Sequence, residues 1–263
     1  MLVRDAGDAW QIVLQTDHAD LSAQLAAAWG GPGFARPEPY EPLLRAARRH
    51  DDGWATWEQQ PRLGEDGAPQ PFLAVPAPVH LAFYRAGVEC VAEEDPAAGL
   101  LVSMHMSGLY RQRYDVMPSP VRELGEDVRD IVDAFVEQEE DRQVALRRML
   151  DVDEAWRWTS YALLQVFDVV SLYFGLANVE TGVAGACEGV PTAEGNDPAR
   201  IAIDPLGPWR VRFDPYPFVE DQTPLTMRRR LVRKPKRGWP DDDAFRTDLA
   251  ATPFETVRIF AQR

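Results

Sequence analysis

Residues 163–174 read LLQVFDVVSLYF. A helix this apolar must be buried nearly all round, so other elements have to pack on every side of it. The chain has the material: 263 residues, 45% of them hydrophobic, can enclose one large core, which excludes both disorder and a small stapled scaffold. The same helix carries one carboxylate, Asp168, into that interior. A buried ionised carboxylate without a partner costs several kcal/mol, so the fold has to bring one to it.

The rest of the chain supplies helices around this one. Residues 2–5 and 10–15 alternate like strands about an AGDA turn. Thr16 or Asp17 caps a helix over HADLSAQLAAAWG, which Gly30-Gly31 stops. EPLLRAARRHDDGWATWEQQ reads as a second helix ending before Pro61, followed by a loop over 60–72. Further helices are expected over 76–94, from Asp95-Pro96 to about 107 or on to 114, from Pro118 to about 149, and over 152–178. After a loop at 187–200 the texture turns to β-branched and aromatic residues broken by Pro, which predicts short strands with one helix near 242–250. The expected fold is therefore mainly α: a helical core over 17–178, with a small β appendage built from 1–16 and 200–263, and α+β overall.

Charge and cysteine usage narrow the partners. With 42 acidic and 28 basic residues the net charge is −14, which disfavours generic binding to nucleic acid or anionic membrane. Cys90 and Cys187 stand in no metal or redox spacing and read as reduced thiols. No signal-like apolar stretch opens the chain and no 18-residue apolar run occurs, so a cytoplasmic protein is expected, one that acts on a small molecule, with a homo-oligomer left open. The one basic run, MRRRLVRKPKR at 227–237, reads as a sheet edge charged against aggregation, the alternatives being a grip on a phosphorylated ligand or the steering of an acidic partner. The acids of EDVRDIVDAFVEQEEDRQ form a solvated face opposite an apolar stripe.

The four histidines each fall in a different expected helix, and each lies on an apolar face. His18 shares one with Leu21, Leu25 and Trp29; His50 and Asp51 share one with Leu43, Ala47 and Trp54. His80 lines up with Tyr84 and Val88, and His105 with Leu101 and Leu109. One inward histidine is ordinarily a satisfied core residue. Four of them, with Asp51 and Asp168 pointing the same way, suit two divalent cations held by imidazole and carboxylate, drawn from Fe, Mn, Co, Ni or Zn.

The order His, His-Asp, His, His, Asp on successive helices resembles the HD-domain superfamily, with His50-Asp51-Asp52-Gly53 similar to its HD-x-G signature. The whole chain also resembles an uncharacterised bacterial family with an HDDGW signature. The superfamily resemblance implies metal ligands at His18, His50, Asp51, His80, His105 and Asp168. One metal would take His18, His50, Asp51 and Asp168, and the second Asp51, His80 and His105. It implies a phosphohydrolase acting on a phosphate ester or nucleotide-like molecule, a mixed-valence di-iron oxygenase, or a non-catalytic metal-stabilised scaffold. Phosphate chemistry needs cations near the metals, for which Arg62, Arg111 and Arg113 are the expected residues, and Asp52 is expected to orient a ligand imidazole or take a proton. Tyr110 and Tyr114 stand where they can line a pocket mouth.

Overall fold

The computed structural model describes residues 1–111, 126–193 and 197–263. The chain opens with a hairpin, β1 (Leu2–Asp5) and β2 (Ala9–Val13), then runs through helices α1 (Gln15–Ala28), α2 (Glu41–Arg49) and the short α3 (Ala55–Glu58). Next come α4 (Ala77–Glu94), α5 (Pro96–Gly108), α6 (Glu126–Met149) and α7 (Glu154–Gly175). Strands β3 (Gly185–Val190), β4 (Ala199–Gly207), β5 (Arg210–Asp214) and β6 (Gln222–Arg233) follow, and α8 (Asp242–Ala251) and β7 (Glu255–Gln262) close the chain. The expected helix start at Pro118 lies outside the described residues.

The expectation of a helical core with a small β appendage is corrected here. All seven strands join one curled sheet in the order β1-β2-β6-β7-β5-β4-β3, antiparallel throughout except for the parallel pair β5–β7. Helix amounts to about 48% and strand to about 22%, so the sheet is a full layer of an α+β fold. Part of the miss is β3. Its sequence, GACEGV, has no alternation of large apolar and polar residues, and the loop expected over 187–200 covers its last four residues. It pairs with β4 and puts Cys187 and Val190 into the core.

Period-two alternation then decides what each face of the sheet meets. Leu225 and Met227 on β6, Ile259 and Ala261 on β7, and Ile201 and Ile203 on β4 point into the large core shared with α1, α5 and α7. The opposite face at the β1–β2–β6 end buries Met1, Ile12 and Val232 under Phe245 and Leu249 of α8. The main core runs without a break from helices to sheet: the Trp29 ring packs edge-on against Phe167 of α7 at 5.4 Å and against Phe218 at 6.2 Å. Gly30-Gly31 stops α1 as expected and also seats this junction. Both amides donate to the Pro217 carbonyl, and a Cβ on Gly31 would stand 2.2 Å from the Phe218 oxygen.

The basic run is not at an edge. Its residues 227–233 lie in β6, which pairs with β2 on one side and β7 on the other. The arginines are accommodated by partners across the sheet. Arg229 donates to Gln11 at 2.8 Å and stands 3.4 Å from Glu255, while Arg228 and Arg230 both stack on the Phe254 ring.

Among the described residues no helix is long and apolar enough to cross a membrane.

Candidate metal centre and its cavity

The expected second helix breaks at the residues that carry the chemistry. α2 ends at Arg49, His50 caps it, and the chain tightens into a 3₁₀ turn over Asp52–Trp54 before α3. Gly53 is the reason the turn can sit where it does: a Cβ there would stand 2.0 Å from the Phe83 carbonyl oxygen of α4 and 3.3 Å from the Gly87 amide. This contact between backbones fixes the HDDGW segment against α4, the helix that bears His80.

The structure buries all six expected ligands, none of them more than 6% exposed. Five form a cluster. His18, in the first turns of α1, places Nε2 3.0 Å from Asp51 Oδ2 and 3.5 Å from Asp168 Oδ1. His50 Nε2 lies 3.2 Å from His18 Nε2, 3.5 Å from Asp168 Oδ1 and 3.7 Å from Asp51 Oδ2. His105, near the end of α5, reaches the other side of Asp168, with Nε2 3.7 Å from Oδ2, and its ring centroid is 5.2 Å from that of His50. His18, His50 and Asp168 each turn a ligand atom to within 4.8 Å of the others. His80 lines the same cavity, but its Nε2 is taken by a short hydrogen bond from the Tyr110 hydroxyl. Asp168 thus turns one oxygen toward His18 and His50 and the other toward His105.

The hydrogen-bond network assigns the tautomers, and these test whether a cation fits. A carbonyl oxygen only accepts, so His50 Nδ1 donates to Ala47 O (3.0 Å) and His80 Nδ1 donates to Val75 O (3.1 Å). Ser171 gives its hydroxyl hydrogen to the Asp168 carbonyl at 2.8 Å, so its oxygen accepts from His18 Nδ1 at 2.6 Å. Each of these imidazoles is held by Nδ1–H, leaving an Nε2 lone pair. Those of His18 and His50 face each other and the two carboxylates, so acceptors meet acceptors. A proton or a metal ion has to stand among them, and tethered Nδ1–H groups are how ligand imidazoles are ordinarily oriented. The charges agree. Burial opposes the charged form of His50, but Asp51 and Asp168 outweigh it and push its pKa up to about 9. Burial also works against ionised Asp51 and Asp168, yet the histidines hold both below the usual carboxylate range. For His105, burial prevails and its pKa falls to about 4. The donor set of imidazole nitrogen and carboxylate oxygen fits a borderline divalent cation.

The cluster closes the deep end of a cavity of about 910 Å³. Trp54, Tyr84 and Tyr110 wall it beside His80, and Leu172, Tyr173 and Ile203 carry it outward between α7 and the sheet. The expected helper residues are placed elsewhere. Asp52 faces away, bound by Arg49 Nε at 2.6 Å, because consecutive residues of the 3₁₀ turn point in different directions. Arg62 is exposed on the loop after α3, and Arg111 is exposed and paired with Glu140 of α6 at 3.2 Å. Neither lines the cavity. Arg113 and Tyr114 lie outside the described residues. The sequence reading missed Gln15, whose Nε2 donates to Asp51 Oδ2 at 3.2 Å, and Ser171. Helical spacing pointed to both, since Gln15 is three residues before His18 and Ser171 three after Asp168.

A cluster of buried histidine and aspartate at the bottom of an apolar cavity, in an α+β fold with one curled sheet, defines the protein structurally. A family model described as "Protein of unknown function (DUF3891)" matches residues 1–234, and the chain belongs to that family. The resemblance to the HD-domain superfamily is overturned by this match and by the seven-stranded sheet, which a purely helical HD domain does not have. No curated protein and no solved structure matches the chain.

Proposed function

We propose that this chain is a metal-dependent enzyme, and in the first instance a hydrolase of a small molecule. One observation carries the reading: the tethered imidazoles of His18 and His50 turn Nε2, in a buried site, toward each other and toward the carboxylates of Asp51 and Asp168. His18, His50, Asp51 and Asp168 would hold a first divalent cation. Asp168 Oδ2 and His105 would hold a second, with His80 joining when Tyr110 releases it. A cation held there supplies Lewis acidity toward a substrate oxygen and lowers the pKa of water, or, if it is iron, supports oxygen chemistry. The chain's own residues do the rest. Ser171 and Ala47 fix the ring orientations, Gln15 holds Asp51 in place, and the aromatic walls exclude bulk water. Asp51 and Asp168 are kept ionised by the histidines, the form in which a carboxylate can hold a cation.

Of the three cations expected to meet a phosphate, Arg62 and Arg111 stand away from the cavity, and Arg113 lies outside the described residues. An oxygenase is the second reading, favoured by the apolar walls and by the Tyr110 phenol against His80. Metal analysis by mass spectrometry of untagged protein, purified without chelator, tests both. One to two equivalents of manganese, cobalt, nickel or zinc support the hydrolase, and iron moves the reading to the oxygenase. No metal even after reconstitution overturns both.

A further inference from the structure

The cavity has a polar end and an apolar end, and the division follows α7. Asp168, Leu172 and Leu176 sit at i, i+4 and i+8 and all line it, so the wall runs about 12 Å along the helix from the cluster to the rim. Beyond the cluster the lining is mostly apolar, with Val169, Leu172 and Tyr173 from α7, Val3 from β1, and Ala186 and Ile203 from β3 and β4, and it includes one amide, Asn178. Among the described residues no Lys or Arg lines it. The rim stays apolar where it meets solvent: Leu73, Leu109 and Leu176 are 65%, 38% and 37% exposed, against the usual preference for polar surface around an aqueous opening. At about 910 Å³ the cavity is at the upper end of the range for small-molecule sites, far more than a cluster of ligands needs for itself.

We infer that the substrate is a neutral molecule with an extended alkyl or aryl body, which lies along α7 between Leu172 and the β3–β4 strands and presents one polar group to the histidine–aspartate cluster. This names the substrate class for the metal-dependent reading above and rests on it for the chemistry, but the apolar arm stands on the walls alone. A phosphate ester or nucleotide suits it poorly. Such a ligand would bring two or more negative charges toward Asp51 and Asp168, past walls that hold no Lys or Arg among the described residues.

The test measures binding of decan-1-ol and of AMP to the full chain by tryptophan fluorescence, since Trp54 lines the cavity, with and without chelator. Decan-1-ol should bind and AMP should not, in both metal states. Ala186→Trp, which fills the outer arm, should weaken decan-1-ol roughly tenfold or more. Leu73→Asp, at the exposed rim where folding is not at stake, should weaken it in the same direction. Metal content in both variants should stay at the wild-type level. AMP binding more tightly than decan-1-ol overturns the inference, as does unaltered decan-1-ol affinity in both variants. Protein that binds decan-1-ol but never metal overturns the proposed function and leaves the apolar arm standing.

Discussion

Asp168→Asn is the sharpest probe of the centre. The change keeps the shape of the side chain and removes the charge that faces His18 and His50 through Oδ1 and His105 through Oδ2. A cation bound only to the native state stabilises it by about 2.7 kcal/mol when present at 100 times its Kd. For a chain of this size each kcal/mol moves Tm by about 2–4 °C, so chelator should lower the wild-type Tm by about 5–11 °C. With this carboxylate gone the variant should lose most of that response, its Tm with and without chelator differing by less than about 2 °C. Asp52→Asn is the matched control: the acid is nearby, but it pairs with Arg49 outside the cluster, and its chelator shift should equal the wild type's. The assay is thermal unfolding followed by fluorescence in manganese, zinc or iron(II) buffer, then in excess chelator. A variant whose chelator shift matches the wild type's would refute the assignment of Asp168 as a ligand.

Other perturbations read other parts of the structure. His105→Ala and His80→Ala should lose the second equivalent of metal and keep the first, whereas Tyr110→Phe should retain both; equilibrium dialysis with metal analysis decides, and two full equivalents in His80→Ala would remove that residue from the centre. Gly53→Ala should destabilise by about 1–3 kcal/mol or more, since the new methyl group overlaps the Phe83 carbonyl, and denaturant unfolding at wild-type midpoint would contradict the close-approach argument. Burial raises Asp17 to about 6, with Arg228 opposing from 3.3 Å, so this acid favours the fold while protonated, below its ordinary 3.8, and that contribution is lost as pH rises through about 6. Asp17→Asn should therefore raise Tm relative to wild type at pH ~8 and leave it nearly unchanged at pH ~4, and a variant less stable at the higher pH would reverse the sign.

What the sequence made legible was local. The hairpin, most helix boundaries and the inward faces of the four histidines depend on periodicity and capping within a dozen residues. Asp95, for instance, caps α5 as expected by accepting from the amides of Ala97 and Ala98. What stayed hidden depends on distant partners. β3 is a strand because β4 and α7 cover it, not because GACEGV favours one. The arginines of β6 look like an edge until Gln11, Glu255 and Phe254 are seen beside them. His50 and Asp51 were legible as a pair on an apolar face, but the turn that aims them requires α4 at Gly53, a contact between segments some thirty residues apart. Arg62 and Arg111 showed the opposite failure, since proximity in sequence to a ligand says nothing about which way a long side chain points.

The division of the cavity between two layers has a consequence for how proteins of this kind diversify. Every nitrogen and oxygen donor of the cluster sits on a helix or at a helix end, while Val3, Ala186 and Ile203 of the outer wall come from three strands. Substitutions at the strand positions reshape the space above the donors without moving them, because they alter volume where no ligand geometry has to be kept. Exchanging a few small side chains on β1, β3 and β4 would therefore change the guest that the space admits while leaving the histidine–aspartate floor beneath in place.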